Sequence, residues 1–322
     1  MTVRLSVDRT AWLEHVHRVA DEFDAHVPVV KGNGYGFGRS VLHPVAAELA
    51  ARVCVGTVHE LDHIANGVTP IVLTPTLTAP AGTAPVITVG AVHHVAALAG
   101  WRGRVAIKLA SSMLRYGAVP ADLDALVAAV RAARLEIDSV SIHLPLAGDD
   151  EARAAEITAW LPLLDPAWTV SVSHLANATF TMLREAHPTR RFELRAGTAL
   201  WHGDKSFLHL TADVIDVRQV RGGTPAGYRL TPVPADGVLV MIGGGSAHGI
   251  APLADGRSPF HFAHRRLVLL EPPHMHTSIG FIGSIGFVGA TDGRDAVPAA
   301  GDRVDVQRPL IITTVDEIEW RT

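Results

Sequence analysis

Eight short runs of β-branched and aliphatic residues recur along the first two thirds of the chain, and this recurrence constrains the fold more than any other feature. Most of the runs are separated by segments with helical periodicity, such as the one that carries Leu123, Leu126 and Val130. Apolar strands that alternate with helices are typical of a parallel sheet covered on its faces, and eight such units predict a closed (β/α)8 TIM-like barrel. The runs are 26–31, 53–57, 71–74, 86–89, 105–109, 140–143, 169–173 and 192–195.

The character of the sequence changes at about Leu208. From there on it shows short alternating runs with Gly and Pro turns, among them 217–220 and 238–242, and hardly any helical periodicity. A chain of 322 residues is long enough for about two domains. We therefore predict an α/β protein in which a barrel domain, residues 1–207, precedes a smaller C-terminal β domain, residues 208–322.

Composition and charge exclude several classes of partner. The chain has 28 basic and 32 acidic side chains, a net charge of -4 and a pI near 6.5. A protein of this kind carries no electrostatic footprint for nucleic acid or for an anionic membrane surface. The sequence therefore favours a small molecule as the partner.

The sequence also bears on location and redox chemistry. The amino terminus reaches the charged Arg4 without an apolar segment, which argues against a signal peptide and favours the cytoplasm. Residues 63–101 lack Asp, Glu, Lys and Arg, but four prolines interrupt them, so we expect no membrane-spanning helix. The single Cys54 lies in an apolar run, which predicts an inert buried thiol.

Polar and cationic residues stand at the ends of the predicted barrel strands. Lys31, Lys108, His143 and Arg195 lie at or near the end of a run, and His174 directly follows one. In a barrel of this kind the carboxyl ends of the strands carry the active site. Any one of these residues could be a snorkelling side chain, but five on one face predict a functional site.

Lys31 is the most informative of the five, because the glycine-rich segment 32–38 follows it at once. A lysine at the end of a buried strand is expected to be poorly solvated, which lowers its pKa and makes the neutral amine available for a Schiff base. The glycines allow a ligand to approach the backbone. Their spacing fits neither a dinucleotide fingerprint nor a P-loop.

Residues 29–38, Val-Val-Lys-Gly-Asn-Gly-Tyr-Gly-Phe-Gly, resemble the signature lysine segment of the alanine racemase family of pyridoxal phosphate enzymes. Three further segments resemble family motifs in the family's order: 108–117, 174–178 and 195–201. The resemblance covers roughly the first 205 residues. It implies that the cofactor is pyridoxal 5'-phosphate and that the small-molecule partner is an amino acid, whose side chain the sequence does not specify.

The resemblance also implies roles for individual residues. Lys31 would be the Schiff-base lysine and one catalytic base, and Arg195 would keep the pyridine nitrogen unprotonated, because a guanidinium has no proton to give up. Arg115 would contact cofactor and substrate, Lys108 would be the lysine that is often carbamylated, and His143 would stack on the pyridine ring. The remaining cofactor contacts would be Tyr35, Asn177, Thr179, Gly197 and Thr198.

The match breaks in the C-terminal domain, because the family's catalytic tyrosine motif is absent. The corresponding segment, 242–249, reads Ile-Gly-Gly-Gly-Ser-Ala-His-Gly. A racemase needs a base on each face of the planar carbanion, and histidine suits that role better than serine near neutral pH. We favour His248, which lies in the glycine-rich loop, as a catalytic residue, although all of these histidines could be structural. The open candidates are Ser246, His248, His274 and His276.

The segment His274-Met275-His276 stands where the family has a methionine that contacts the substrate carboxylate, which makes Met275 a substrate-binding candidate. Alternating residues on a strand share a face, so two imidazoles there could converge on zinc. No Cys or close carboxylate completes a recognised spacing. We therefore predict no metal.

Three functions follow from these features. The first is a pyridoxal phosphate-dependent amino-acid racemase or epimerase, an isomerase. The second keeps the cofactor but uses Lys31 alone, as an aldolase, lyase or decarboxylase. The third is a pyridoxal phosphate-binding protein with low turnover, against which the presence of the second domain argues. The resemblance further implies a head-to-tail homodimer in which each β domain completes the partner's site.

Overall fold

The computed structural model describes residues 3–283 and 296–322. These residues form two compact units. The barrel unit comprises Glu14–Gly34 and Gly38–Gly203, and the β unit comprises the chain up to Leu13, Tyr35–Phe37 and the described residues from Asp204 onward. Tyr35–Phe37 thus belong to the β unit, although they follow Lys31 closely in sequence.

The elements of the described residues are numbered along the chain. The strands are β1 (Val3–Asp8), β2 (His26–Pro28), β3 (Arg52–Val55), β4 (Thr69–Val72), β5 (Val86–Val89), β6 (Arg104–Lys108), β7 (Glu136–Ser141), β8 (Thr169–Ser173), β9 (Phe192–Ala196), β10 (Leu208–Val220), β11 (Pro225–Ala226), β12 (Thr231–Pro232), β13 (Gly237–Ile242), β14 (Phe260–Phe262), β15 (Arg265–Arg266), β16 (Val268–Leu269), β17 (Ser278–Gly283), β18 (Arg303–Val306) and β19 (Glu317–Arg321). The α-helices are α1 (Arg9–Glu22), α2 (Arg39–Leu49), α3 (Val92–Ala96), α4 (Pro120–Ala132), α5 (Asp150–Trp160), α6 (Asn177–Ala186) and α7 (Thr198–His202).

The barrel unit is an eight-stranded parallel sheet in the order β2-β9-β8-β7-β6-β5-β4-β3. A parallel bridge between Val29 and Cys54 joins its two ends, and the Val30 N–H donates to the Cys54 carbonyl at 2.8 Å. Strands β2–β9 coincide with the eight predicted runs to within a few residues. The predicted (β/α)8 barrel followed by a β domain is confirmed.

Alternation along several barrel strands, β8 among them, separates an apolar face from a polar one. In β8, Val170 and Val172 belong to the large apolar core that also includes the buried residues of α4, whereas Ser171 and Ser173 alternate with them. Successive side chains of a strand point to opposite faces, so a Val-Ser repeat packs a helix on one side and presents hydroxyls on the other. The hydroxyl face is the one that positions the site described below.

Cys54 lies in the wall of the barrel and is fully buried. Burial disfavours the thiolate and raises the pKa of the Cys54 thiol to about 12. The residue behaves as a small apolar side chain, as the sequence predicts.

The β unit is built on a mixed sheet in which the long strand β10 pairs antiparallel with β1, β13 and β18. Strand β1 also pairs in parallel with β19, which ties the first described strand to the last. The amino-terminal strand therefore completes the sheet of the β unit, because its backbone groups need partners that only β10 and β19 provide. The division into a cofactor-binding domain, residues 1–207, and a C-terminal β domain, residues 208–322, stays a prediction.

None of the helices within residues 3–283 and 296–322 combines the length and the apolar character that a membrane span requires.

Candidate active site

An open cavity of about 570 Å³ lies at the carboxyl ends of the barrel strands. Six of the eight strands contribute to it, either with their last residues or with the loops that follow them. Four of its lining side chains are cationic, and none of the lining residues is acidic. The lining residues are Lys31, Gly56, Leu73, Thr74, Lys108, Leu109, Ser111, Met113, Arg115, Tyr116, His143 and Arg195.

Arg195, near the end of β9, is buried and is held by oxygens of two neighbouring strands. Its Nη1 donates to the Ser171 carbonyl at 2.7 Å and to the Ser171 hydroxyl at 2.8 Å, and its Nη2 donates to the Ile142 carbonyl at 2.6 Å. Burial lowers the pKa of Arg195, but an arginine remains a cation at any working pH. The guanidinium is therefore a fixed positive charge at the barrel mouth.

Lys108, the last residue of β6, is 7% exposed and donates to the Ser141 hydroxyl at 3.3 Å. Burial, together with the positive charges of Arg195 and Arg115, lowers the pKa of Lys108 well below its usual value. A neutral amine at this place is a nucleophile, and it is the form that reacts with carbon dioxide to give a carbamate.

His143 follows β7 and lies between two polar neighbours. Its Nδ1 is 2.8 Å from the Ser173 hydroxyl, and its ring centroid is 4.6 Å from that of His174. Burial and the positive charges of Arg195 and Lys108 lower the pKa of His143 to about 2. The ring is therefore a neutral, oriented aromatic surface.

Arg115 lies in the loop between β6 and α4, and its side chain is exposed. Its guanidinium packs over the Tyr116 ring, 4.9 Å from the centroid, and donates to the Tyr116 hydroxyl at 2.9 Å. Two backbone hydrogen bonds close the neck of this loop, where its two ends meet. The Ala110 N–H donates to the Ala118 carbonyl, and the Ala118 N–H donates to the Lys108 carbonyl, both at 2.8 Å. Gly117 has φ +146°, and a Cβ there would lie 2.6 Å from the Leu109 carbonyl, so the neck requires glycine.

The Lys31 side chain is exposed, so the expectation that this lysine is poorly solvated is wrong. Strand β2 ends at Pro28, Val29 and Val30 still bond to the neighbouring strands, and Lys31 is the first residue after them. The backbone behind Lys31 is fixed, because the Glu60 carboxylate accepts from Gly32 N–H at 3.1 Å and from Gly56 N–H at 2.9 Å. Lys31 thus presents an exposed amine from a backbone segment that hydrogen bonds to Glu60 hold in place.

The predicted phosphate contacts of the barrel unit do not line this cavity. Asn177 and Thr179 lie in the first turn of α6, where Asp150 accepts from the Ala176 N–H at 2.7 Å and from the Thr179 hydroxyl. Gly197 immediately precedes α7, and Thr198 is its first residue. Backbone N–H groups at the start of a helix suit a phosphate. The prediction that Gly197 and Thr198 bind the phosphate therefore stands as a prediction. Tyr35 is buried in the β unit, with φ +55°.

The β unit holds His248 by both ring nitrogens. Its Nδ1 accepts from the Gly245 N–H at 3.2 Å, which leaves the proton on Nε2, and Nε2 lies 3.2 Å from an oxygen of Asp316. The residue is 7% exposed. This environment fixes one tautomer of His248 and leaves neither nitrogen free to exchange protons with a ligand.

The other predicted candidates of the β unit are in different environments. The His274 Nε2 contacts the buried Glu271 carboxylate, and its ring stacks on Tyr228 with centroids 4.1 Å apart. Met275 is 66% exposed. His276 is exposed and meets His248 edge to face at 5.9 Å, and no hydrogen bond reaches its ring from the described residues.

Ser246 is exposed, and its N–H donates to the His274 carbonyl at 2.8 Å. The turn that carries Ser246 and His248 therefore packs directly on the 274–275 segment. Within the described ranges, no three His, Cys, Asp or Glu side chains are grouped as metal ligands would be.

Three serines that are not among the predicted site residues hold the polar side chains of the cavity. Ser141, Ser171 and Ser173 hold Lys108, Arg195 and His143, respectively. The signal was present, because serine at every second position of an otherwise apolar strand places its hydroxyls on one face. A hydroxyl can both donate and accept, so it can serve a cation or an imidazole in a cavity that lacks carboxylates.

Comparisons with known proteins show the family and the fold. The family model described as alanine racemase, N-terminal domain, matches residues 7–205. The structure of alanine racemase from Bartonella henselae with covalently bound pyridoxal phosphate matches with a TM-score of 0.70 and 18% identity, over 96% of this chain and 91% of that chain. No curated protein matches the chain.

Two further solved structures show the same similarity. Alanine racemase from Bacillus anthracis with bound L-Ala-P matches with a TM-score of 0.73 and 20% identity, over 95% of this chain and 85% of that chain. The enzyme from the D-cycloserine producer Streptomyces lavendulae matches with a TM-score of 0.71 and 19% identity, over 100% of this chain and 97% of that chain. Identities this low show a shared fold.

Proposed function

The chain belongs to the alanine racemase family through its N-terminal domain, and from that premise we propose that it is a pyridoxal 5'-phosphate-dependent amino-acid racemase or epimerase. The observation that carries the proposal is the cavity at the barrel mouth, where Lys31, Lys108, Arg115 and Arg195 meet without a carboxylate. A cation-lined cavity of this kind suits an anionic cofactor and the carboxylate of an amino acid.

The side chains present fit pyridoxal phosphate. Lys31 supplies a flexible primary amine, which is the group that binds an aldehyde covalently. The Arg195 guanidinium would donate to the ring nitrogen of the cofactor, since it has no proton to give up, and the neutral His143 ring would offer an aromatic face. Gly197 and Thr198, with Tyr35, Asn177 and Thr179, are the proposed phosphate contacts.

When bound, the cofactor supplies an electron-withdrawing ring that stabilises negative charge at the substrate α-carbon. The residues of the chain decide where the proton goes. Lys31, once its amine is free, accepts the α-proton on one face and returns it. Arg115 orients the substrate carboxylate, and Met275 is the proposed contact from the β unit.

Lys108 and Arg115 act together in this proposal. Carbamylation converts the Lys108 amine into an anion, which replaces a repulsion between the two side chains by an ion pair. The low pKa of Lys108 supports the proposal, because carbamylation requires the neutral amine. Arg115, which lines the cavity already, would then exchange its hydrogen bond with the Tyr116 hydroxyl for an ion pair with the carbamate.

The second base is the open part of the mechanism. His248 is the candidate that its position in the glycine-rich loop favours, but both of its ring nitrogens are engaged. His276 has an exposed ring with both nitrogens available, so the geometry supports His276 over His248. Replacing each of the two with Gln and comparing the rates of racemisation distinguishes them.

The engaged His248 also favours a second candidate function. With no base on the second face, Lys31 alone would catalyse aldol cleavage, elimination or decarboxylation on one enantiomer. A pyridoxal phosphate-binding protein of low turnover remains the third alternative. All three share the cofactor and the barrel site, so the products distinguish them.

The test is proton NMR with chiral analysis of the reconstituted protein in deuterated water, with a panel of L- and D-amino acids. Deuterium at the α-carbon with both enantiomers formed supports a racemase. Exchange with retention, or a new product, supports the single-base enzyme, and neither exchange nor product supports the low-turnover protein.

Cofactor attachment has its own test, because the chain has only three lysines, Lys31, Lys108 and Lys205. Borohydride reduction followed by peptide mapping should place the adduct on Lys31, and Lys31→Ala should remove it. Lys205→Ala is the matched control and should keep the adduct. An adduct that persists in Lys31→Ala would contradict the assignment.

We also propose a cytoplasmic homodimer with shared active sites. The exposed His276 and Met275 of one subunit would then complete the cavity of the other. Small-angle scattering tests the assembly, and a strictly monomeric, fully active protein would contradict it.

A further inference from the structure

The loop that carries Arg115, residues 111–116, is held by few bonds above its neck. Its own backbone bond is local, because the Leu114 N–H donates to the Ser111 carbonyl at 2.9 Å. Leu114, near the middle of the loop, is 92% exposed and has φ +52°. Burial of this residue does not hold the loop, so the position of the loop depends on hydrogen bonds from outside it.

The Glu156 side chain of α5 supplies such bonds. Its carboxylate accepts from the Ser112 N–H at 2.6 Å and from the Ser112 hydroxyl at 2.8 Å. Among the residues that the structure describes, no other side chain outside 111–116 forms a hydrogen bond with the loop. Two bonds from one carboxylate to one residue fix a direction as well as a distance, and an ionised acceptor makes each of them stronger than a neutral one.

Helix α5 is a firm support for this contact. Trp160, one turn after Glu156, belongs to the large apolar core, and its Nε1 donates to the Ala110 carbonyl at 3.2 Å. Residues four apart lie on the same face of a helix. One face of α5 therefore holds the loop twice, at its neck and at Ser112.

The position of the loop matters because three of its residues, Met113, Arg115 and Tyr116, line the cavity. The hydrogen bond that the Arg115 guanidinium makes goes to Tyr116, which belongs to the same loop. No hydrogen bond ties the guanidinium to another element of the described residues. Where Arg115 lies relative to the barrel strands is therefore set by the loop as a whole.

We propose that Glu156 is a positioning residue for Arg115, which holds the loop so that the guanidinium faces the cavity and thereby sets the affinity for a carboxylate bound there. The first half of this inference rests on contacts within the barrel unit. The effect on a carboxylate rests on the proposed function, in which Arg115 orients the substrate carboxylate. If the loop adopts its binding conformation only part of the time, the affinity falls in proportion to that fraction.

Glu156→Ala and Glu156→Gln test the proposal as a pair. Glutamine can keep both contacts, because its carbonyl oxygen accepts from the Ser112 N–H and its amide donates to the Ser112 hydroxyl. Glu156→Ala should speed amide hydrogen exchange at Leu114 at least about fivefold, although the acceptor of that amide is unchanged. Glu156→Gln should stay within about twofold of the parent.

Acetate is a suitable probe of the carboxylate, because it has no amine with which to react with the cofactor. Isothermal titration calorimetry of the cofactor-loaded protein should show acetate binding that is at least about fivefold weaker in Glu156→Ala and within about twofold of the parent in Glu156→Gln. Glu151→Ala, at an exposed position of the same helix, is the matched control and should match the parent in both measurements.

Unchanged exchange at Leu114 in Glu156→Ala would overturn the proposal, and so would a Glu156→Gln protein as impaired as Glu156→Ala, since charge and not position would then matter. A released loop with unchanged acetate affinity would overturn it as well. If the parent binds no acetate, the proposed role of Arg115 is contradicted, and the exchange at Leu114 alone decides the role of Glu156. Ser112→Ala, which keeps the N–H donor and loses the hydroxyl, should give an intermediate increase in exchange and decides if Glu156→Ala does not fold.

Discussion

The Arg195 guanidinium donates from a single nitrogen to both the carbonyl and the hydroxyl of Ser171, at 2.7 and 2.8 Å. The two residues are on adjacent strands, β9 and β8, and the same guanidinium reaches the Ile142 carbonyl after β7. Arg195 therefore ties three barrel strands together at the mouth of the cavity. The Arg195 side chain therefore both lines the cavity and cross-links the strands around it.

Arg195→Lys should destabilise the protein by about 2 to 4 kcal/mol. A single ammonium cannot reproduce the planar fork of donors, so at least one of the buried carbonyls loses its partner. Urea unfolding of the two proteins measures the difference. Arg191→Lys is the control, because this exposed side chain donates to only one carbonyl, and its free energy of unfolding should stay within about 0.5 kcal/mol of the parent's. Equal stabilities of parent and Arg195→Lys would contradict the cross-link.

His143 should make the stability of the parent depend on pH in mildly acidic solution. The unfolded chain binds a proton at this histidine as the pH falls through 6.5, whereas the folded protein binds it only near pH 2. The unfolded state thus binds more protons in between, and the free energy of unfolding falls by up to about 1.4 kcal/mol per pH unit below 6.5 from this group. Urea unfolding between pH 6 and pH 4 should show a shallower fall for His143→Gln. His17→Gln, at an exposed position of α1, should keep the parent's slope.

Lys108 should give a pH dependence of the same sign, in a window that extends up to about pH 10.5. Its folded-state pKa lies well below 10.5, so between that value and about 10.5 the unfolded chain holds the proton and the folded protein does not. The free energy of unfolding therefore rises with pH across this window, by up to about 1.4 kcal/mol per unit. Lys108→Met should lack this rise in bicarbonate-free buffer. Identical slopes for parent and variant would show that Lys108 stays protonated.

Gly117→Ala should disrupt the loop that carries Arg115. The new Cβ would lie 2.6 Å from the Leu109 carbonyl, and φ +146° is strained for any L side chain. We expect a loss of at least about 3 kcal/mol in the free energy of unfolding, or a displaced loop and weaker cofactor binding. Gly82→Ala is the control, because nothing lies within 4 Å of its Cβ and the residue does not need a positive φ. The claim that the loop requires glycine at this position would be contradicted if the Gly117→Ala protein matched the parent in stability and in cofactor binding.

The β domain offers a comparable test at Glu271. This buried carboxylate accepts from the Tyr228 and Arg229 N–H groups at 2.8 and 3.1 Å and contacts His274. Hydrogen bonds from His274 and the two backbone groups outweigh burial and lower the pKa of Glu271. Glu271→Ala should release the segment 227–231, detected as faster amide hydrogen exchange at Tyr228 and Arg229, whereas Glu185→Ala on the exposed side of α6 should leave it unchanged.

The sequence by itself determined the barrel and most of the side chains that line the cavity at its mouth. Runs of valine and isoleucine at helix-separated spacing predict parallel strands, because burial on both faces of a strand is a property of the local residues. The ends of these apolar runs place Lys108 and Arg195 at the carboxyl ends of strands. In a parallel barrel all carboxyl ends lie on the same face, so the two side chains are predicted to lie there together. The resemblance of residues 29–38 to a lysine motif added the cofactor.

Only the tertiary structure decided which polar atoms are satisfied. The Nε2 of His248 is engaged by Asp316, a residue 68 positions later. Strand β1 pairs with strands that lie some 200 and 310 residues further along the chain. The ion pairs of Arg52 are another such result, because this residue of β3 meets Asp138 of β7 and Glu193 of β9. Strand periodicity is set by neighbours in sequence, whereas the partner of a hydrogen bond and the burial of a charge are set by whatever the fold brings alongside.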